Sequence, residues 1–275
     1  MKKFSENIIK VTLPSHLLGV AAFIYLLQTD EWYRLLWALP FWVVFSGLGI
    51  AVGYHRLLSH GSFKTSVFIK RFLAICGIFA GQGSPVFWVA THRSLHHPYS
   101  DQKGDPHSPR DGFFHAYIGW QLFFDRSNFN PRHAVDILRD AFLKTISAHY
   151  HKIYWTGIFL VFLMDWRIGL GSLTPALILS YHQENIVNLF CHLKSLGYRN
   201  YETPDDSRNI WILGLLFWGQ ALHNNHHRYP KRWNYAMRWW ELDLCMLIIP
   251  LISKDEPTLQ PDAVPDHPSL ESATK

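Results

Sequence analysis

Apolar residues in this chain gather in a few long runs, separated by polar breaks, and the runs have the lengths of helices that enter a bilayer. Crossing the hydrocarbon core takes about 20 mostly apolar residues. Leu13 to Gln28 is short and carries Pro14 near its start, where a helix tolerates proline. Leu35 to Tyr54 is strongly apolar and runs straight into His55. The polar turn Gln28-Thr29-Asp30-Glu31 between them predicts a hairpin. Ile153 to Met164 and Leu170 to Leu193, joined by Asp165-Trp166-Arg167, predict a second hairpin. Trp32, Trp37, Trp155 and Trp166 stand near the ends of these runs, as interfacial aromatic belts require.

The remaining apolar runs read differently. Phe72 to Ala90 is interrupted by Gly77, Gly81, Gln82, Gly83, Ser84 and Pro85, which predicts burial in protein and no lipid-facing surface. Ile210 to Leu222 and Leu244 to Ile252 are too short to span alone. Between Pro131 and His151, Val135, Leu138, Phe142 and Ile146 recur at helical spacing opposite Asp136, Arg139, Asp140 and Lys144. That pattern predicts an amphipathic helix lying on the membrane surface. The expected architecture is an all-α integral membrane protein with four transmembrane helices in two hairpins, near residues 13–28, 35–54, 153–164 and 170–193. One domain covers residues 1–253, and a Pro-, Asp- and Ser-rich tail at 254–275 is expected to be disordered. Met1-Lys2-Lys3 leads into polar residues with no short apolar run and A-x-A site. The first helix is therefore expected to act as an uncleaved insertion signal with its basic end on the cytoplasmic side. Two hairpins then put residues 55–152 and 194–253 on that same face.

Composition agrees with a membrane protein that has a large polar part. Of the 275 residues, 48% are apolar and only 17% charged, against about 25% charged in an ordinary soluble domain. The net charge of +5 is scattered, which fits attraction to anionic headgroups and gives no basic stripe for nucleic acid. Cys76, Cys191 and Cys245 stand alone in apolar surroundings, so neither a disulfide framework nor a thiolate metal site is expected.

Histidine changes the picture most. Eight histidines fall into three boxes at the ends of the apolar runs: His55-x4-His60, His92-x3-His96-His97 and His223-x2-His226-His227. Imidazoles packed beside apolar surface need partners for their nitrogens, and a metal is an economical one. On an α-helix, with about 100° per residue, His223, His226 and His227 share one broad arc. His92 and His96 lie about 40° apart, with His97 further round, so bringing all three to one centre needs a local bulge. His55 and His60 lie about 140° apart, which suits a helix end feeding two neighbouring ions. Eight ligands exceed what one ion with open coordination can use, so two ions are expected. Structural zinc sites usually include cysteine, which is missing here, while imidazole also suits iron.

These segments resemble a known family. Gly53-Tyr54-His55-Arg56-Leu57-Leu58-Ser59-His60-Gly61-Ser62-Phe63-Lys64 is similar to the first histidine box of the membrane fatty acyl desaturases of the Δ9, acyl-CoA type. The resemblance continues through Gln82-Gly83, Trp88, His92-Arg93, His96-His97, Ser100-Asp101, Asp105-Pro106-His107 and Gly119-Trp120, and ends at His223-Asn224-Asn225-His226-His227. It implies four membrane helices under a cytosolic cap that holds a di-iron site. It also implies that a saturated acyl chain becomes a cis-monoene, Δ9 by analogy, at the expense of O2 and two external electrons.

By the resemblance the iron ligands are His55, His60, His92, His96, His97, His223, His226 and His227. His192 joins them directly and Asn188 through water; read on their own, these two are a satisfied polar pair at i, i+4 inside a bundle. Gln82 and Trp88 are expected to line a bend in the acyl tunnel, and Asp101, Asp105 and Asp243 to orient ligand imidazoles. Two features depart from the acyl-CoA pattern. The second box has three residues between His92 and His96 where those enzymes usually have two, and Ala90-Thr91 replaces an Arg-Asp pair that contacts CoA. Gln220 stands where the family often has Glu. The carrier is therefore left among CoA, acyl carrier protein and phospholipid.

No His-Pro-Gly-Gly haem segment is present, so a separate ferredoxin, rubredoxin or cytochrome b5 is the expected electron donor. The expected location is a multi-pass position in membrane lipid, the cytoplasmic (inner) membrane in a bacterium, with the site on the cytoplasmic face. The competing readings are a histidine-box hydroxylase or sterol oxidase using the same irons, and a membrane metal transporter. The transporter would spread ionisable residues through the depth of several helices, whereas here they collect at one side.

Overall fold

The computed structural model describes residues 4–124 and 130–255. The tail expected to be disordered lies outside these residues except for Lys254 and Asp255. The described chain is helical, with only isolated β-bridges, at Thr65–Ser253, Tyr198–Asn209 and Asn209–Leu222. Among the described residues, helices α1 (Ile8–Thr29) and α2 (Trp32–His60) are the two that are long and apolar enough to cross a membrane. They cover the first two expected runs, 13–28 and 35–54, and extend past them, and α2 runs on through the whole first histidine box.

Helix α2 is wound with i→i+5 hydrogen bonding from Val43 to His60, and it ends at Gly61 in the left-handed region with φ +61°. Such π-helical winding is rare and concentrates at functional sites. Helix α3 (Val67–Ile78) begins at Ser66, whose Oγ accepts from the Ile69 amide at 3.2 Å. It packs closely against α2 because Gly49 and Gly77 meet: a Cβ on Gly49 would strike the Gly77 backbone, and one on Gly77 would strike the Tyr54 ring. Helix α4 (Pro85–Thr91) starts from the Ser84 cap and continues into a π-helical turn, His92–His96. The run from Phe72 to Ala90 is thus divided by a loop, and although most of it is buried, Phe72 is 46% exposed.

The surface helix expected over Pro131 to His151 is broken. Asp140 leaves helical geometry and caps a new helix, its Oδ1 accepting from Phe142 and Leu143 at 3.0 and 3.2 Å. The result is α5 (Val135–Arg139) and α6 (Ala141–Ala148), whose buried residues Ile137, Leu143 and Ile146 join the core formed by Ile50, Tyr54, Leu58, Ala74, Ile78 and Val89. The competition between a helical backbone and a local Asp side-chain bond decides this break.

Helix α7 (Tyr150–Met164) and helix α8 (Thr174–Phe190) fall on the third and fourth expected runs. The 15 residues of α7 rise about 22 Å, less than the roughly 30 Å of a bilayer core. Helix α8 buries Gln183, Glu184 and Asn185 on its inner side. Large apolar side chains stay exposed on α1 (Leu17, Val20, Leu27), early α2 (Leu36, Trp37) and late α7 (Phe159, Leu163, Met164). An exterior of that kind fits lipid contact. Helix α9 (His223–Arg228) carries the third box and is buried throughout its first five residues.

Candidate metal centre

Nine imidazoles converge between α2, α4, α8 and α9, and they divide into two groups. His55, His60, His92, His97 and His226 form one, and His96, His192, His223 and His227 form the other, with the potential ligand atoms of each group within 4.8 Å of one another. Helix winding produces the division. On a π-helical turn residues five apart stack, so His55 and His60 face the same way, as do His92 and His97. On α9, which is α-helical, residues four apart stack, so His223 and His227 go together and His226 faces the other group.

The 140° expected between His55 and His60 assumed α-helical winding, and the two instead enter one group. The bulge expected in the second box is the His92–His96 turn, but it separates His96 from its neighbours. Within the five-histidine group, Nε2 of His55 lies 3.0 Å from that of His226, His60 lies 2.9 Å from His92, and His97 lies 3.0 Å from both His92 and His226.

In the four-histidine group the hydrogen bonds fix the tautomers. Nδ1 of His192 donates to Asp101 Oδ2 at 2.7 Å and Nδ1 of His227 to Asp205 Oδ2 at 2.8 Å. His223 donates to the Gln220 carbonyl at 3.0 Å, and His96 makes a longer contact with Asp105 Oδ1 at 3.4 Å. A neutral imidazole has one N–H, so each Nε2 is then a bare lone pair. Yet Nε2 of His227 sits 3.1 Å from that of His223 and 3.2 Å from that of His96, while Nε2 of His192 is buried without a partner. Lone pairs facing each other at that distance require a cation, so these residues fit a metal.

Burial holds His92, His97, His223 and His226 well below the usual imidazole range, which keeps them neutral and available as ligands. Burial opposes the charge of Asp105 and Asp205, but the imidazoles they face carry both carboxyls below the usual range. Asp101 follows the same pattern, with His192 as its main support. Asp101 holds the left-handed region at φ +58°, tolerable for an Asp, and this lets its Oδ2 accept from both His192 and the Asp206 amide.

Other expected residues fall in different places. Asp243 touches no ligand imidazole: its carboxylate accepts from Arg56 Nη2 at 2.7 Å and from the Tyr235 and Cys245 amides at 2.8 and 3.0 Å. Position 243 is fixed by the buried Arg56, whose guanidinium also lies 4.0 Å from the Tyr235 ring centre. Asp205 takes the imidazole-orienting position, and nothing in its spacing points to that role. Glu184 could have been noticed, as the one carboxylate between Leu170 and Leu193. It is buried and accepts from Gln220 Nε2 at 2.7 Å and Gln183 Nε2 at 3.2 Å. The Gln at 220 therefore supplies a donor to an acid carried by α8. His107 packs on His96 at 4.4 Å between ring centres, and burial pushes it down to about 3 against the pull of Asp105.

Asn188, Gln82 and Trp88 line a cavity of about 40 Å³ together with His92, His107 and Glu184. Trp88 stacks on His92 at 4.8 Å, and Gln82 Nε2 donates to the Tyr181 carbonyl at 2.8 Å. Gln82, Phe87 and Trp120 also border a larger cavity of about 510 Å³ that reaches Asn7, Lys144 and Ser147. A third cavity, of about 630 Å³, reaches His60, His97 and His227 past Arg93 and Arg228.

Known proteins share this pattern. A profile of the fatty acid desaturase family matches residues 31–254. The sn-1 stearoyl-lipid 9-desaturase of Anabaena variabilis is 34% identical over 84% of this chain and 85% of its own length. The enzyme of the same name from Synechocystis is 34% identical over 86% of this chain and 74% of its own length. Delta-9 acyl-lipid desaturase 2 of Arabidopsis thaliana is 34% identical over 78% of this chain and 70% of its own length. With its histidines gathered into two metal-fitting groups and its family match running from α2 to Lys254, this chain belongs to the fatty acid desaturase family.

Proposed function

We propose that this protein introduces a cis double bond at Δ9 of a saturated acyl chain carried on a membrane glycerolipid, with iron at both histidine groups. The observation that carries the reading is the convergence of nine imidazoles in groups of five and four with unshared lone pairs directed inward. All-imidazole sets without cysteine suit iron, and zinc lacks the redox chemistry that the reaction needs. Iron, when bound, would supply O2 activation with two electrons from a separate donor of the ferredoxin, rubredoxin or cytochrome b5 kind.

The chain's own residues do the rest. The 510 Å³ cavity shares Gln82, Phe87 and Trp120 with the 40 Å³ cavity against His92. An acyl chain threaded along that path is held by apolar walls, and position alone selects which methylenes meet the centre. Trp88, stacked on His92, closes the inner wall and excludes water from it. Gln82 is fixed by its bond to Tyr181 and so presents a rigid edge to the chain. Asn188 lines the inner cavity one helical turn before His192, where a water between it and the four-histidine position would be held.

A lipid carrier is supported by the names of the relatives and by Ala90-Thr91 at the place of a CoA-binding Arg-Asp pair. The larger cavity is walled by the N-terminal segment and by α6, which fits entry from the membrane surface. We further place all four apolar helices, near 13–28, 35–54, 153–164 and 170–193, across the bilayer, with residues 1–253 as one domain and the histidines on the cytoplasmic face. The test is expression in a host deficient in unsaturated fatty acids, with the double bond located by mass spectrometry in each lipid class. Cis-9 monoenes confined to glycerolipids are expected. Intact iron and donor oxidation that yield only hydroxylated chains would overturn the desaturase reading.

A further inference from the structure

The two histidine groups differ in what stands behind them. In the four-histidine group every Nδ1 meets an acceptor, and three of the four are carboxylates: Asp101 behind His192 at 2.7 Å, Asp205 behind His227 at 2.8 Å and Asp105 behind His96 at 3.4 Å. The fourth, His223, meets the neutral Gln220 carbonyl. Arg110, paired with Asp206 at 2.7 Å, also acts on one of these three aspartates, Asp101. Their other partners are backbone amides, the Thr203 hydroxyl and His107.

The five-histidine group has nothing comparable. Nδ1 of His55 and Nδ1 of His226 are buried and have no hydrogen-bond partner, while Trp88 packs on His92 and His55, and Tyr235 lies beside His55 and His226. Two guanidiniums that act on this group are matched by carboxylates, Arg56 with Asp243 and Arg93 with Asp136. One metal position therefore has three carboxylates against its ligand imidazoles, and the other a partly aromatic wall with buried Nδ1 atoms left unpartnered.

A carboxylate that takes the distal N–H of a ligand imidazole makes the ligand more basic and favours the higher charge on the metal. We infer that Asp101, Asp105 and Asp205 are positioning residues that make the two metal positions electronically unequal, so that the four-histidine position gives up an electron first. The inference rests on the di-iron reading. In the half-oxidised protein, one Fe2+ in the four-histidine group becomes Fe3+, its electron passing to an added oxidant such as ferricyanide, while the five-histidine iron remains Fe2+.

The experiment uses the full-length protein in detergent or nanodiscs, loaded with ⁵⁷Fe and assayed first for iron content. Stepwise oxidation is followed by Mössbauer and electron paramagnetic resonance spectroscopy. Two separate one-electron steps are expected. Asp205→Asn and Asp101→Asn should each lower the Fe3+/Fe2+ ratio of the first step at a fixed potential by tenfold or more, about 59 mV for one electron, and leave the second step in place. Asp205→Glu should restore the first step, and Asp136→Asn should not move it. In the fully reduced Asn variants one of two equal quadrupole doublets should shift, a readout that survives if the midpoint cannot be measured. Coincident steps in the wild type, or equal shifts of both steps or both doublets in the Asn variants, would overturn the inference. Fewer than two irons per chain would instead overturn the di-iron reading.

Discussion

Asp243 and Arg56 form an ion pair whose side chains are both fully buried, and removing one partner tests what Asp243 is for. Besides the 2.7 Å contact with Arg56, the carboxylate accepts from the Tyr235 and Cys245 amides, and the guanidinium keeps the Ala51 carbonyl at 3.0 Å. Asp243→Ala would leave a buried guanidinium without a counter-charge and two buried amides without an acceptor. Breaking such a pair costs about 3–5 kcal/mol, much more than the fraction of a kcal/mol typical of an exposed pair. For a chain of this size that corresponds to a fall of roughly 6–20 °C in melting temperature. Arg56→Met combined with Asp243→Leu replaces the pair by apolar groups of similar volume and should recover most of the loss. The assay is thermal unfolding of purified protein in detergent, with iron content measured in parallel. A single variant that melts within about 2 °C of the wild type yet loses iron would refute the reasoning, since Asp243 would then serve a ligand and not Arg56.

Three further outcomes follow from the same contacts. Gly49→Ala puts a methyl against the Gly77 backbone where α2 and α3 cross, and should cost about 1–3 kcal/mol, read as a lower melting temperature. Gln220→Glu replaces the donor facing Glu184 with a second acceptor and should cost about 1–3 kcal/mol, whereas the reciprocal Glu184→Gln/Gln220→Glu pair should recover it. Acidification should weaken both the fold and metal retention. Buried His107 is pushed down to about 3 and His92, His97, His223 and His226 well below their usual range, while the unfolded chain takes up protons near pH 6.5. The unfolded state therefore binds more protons over that window, so stability rises with pH and is lost below about 6.5. A melting temperature of the apoprotein that stays constant between about pH 7 and 5 would contradict this.

Much of the architecture could be read from the chain. Apolar run lengths gave the first two long helices, and Ser84 and Pro85, read as interruptions of the run from Phe72 to Ala90, stand where the structure divides it. The break at Asp140 was harder, because amphipathic spacing continues across it and only the side-chain bond to Phe142 and Leu143 stops the helix. The first-box angle failed for a similar reason: hydropathy does not distinguish i→i+4 from i→i+5 winding, and α2 chooses the latter. Asp243 left its expected place beside the imidazoles, and Asp205, which no expectation named, stands there, because each meets its partner at a distance along the chain, Arg56 at 187 residues and His227 at 22.

By itself the sequence determined which side chains could bind metal, that they cluster beside apolar helices, and which family they belong to, because residue types and local spacing are written directly in it. Only the tertiary structure decided that the histidines part into groups of five and four, and that three aspartates stand behind the smaller group alone. The physical reason is range. Helix periodicity is set by neighbours within a turn, whereas the partner of an imidazole's second nitrogen is whatever the packed loops bring to within about 3 Å of it.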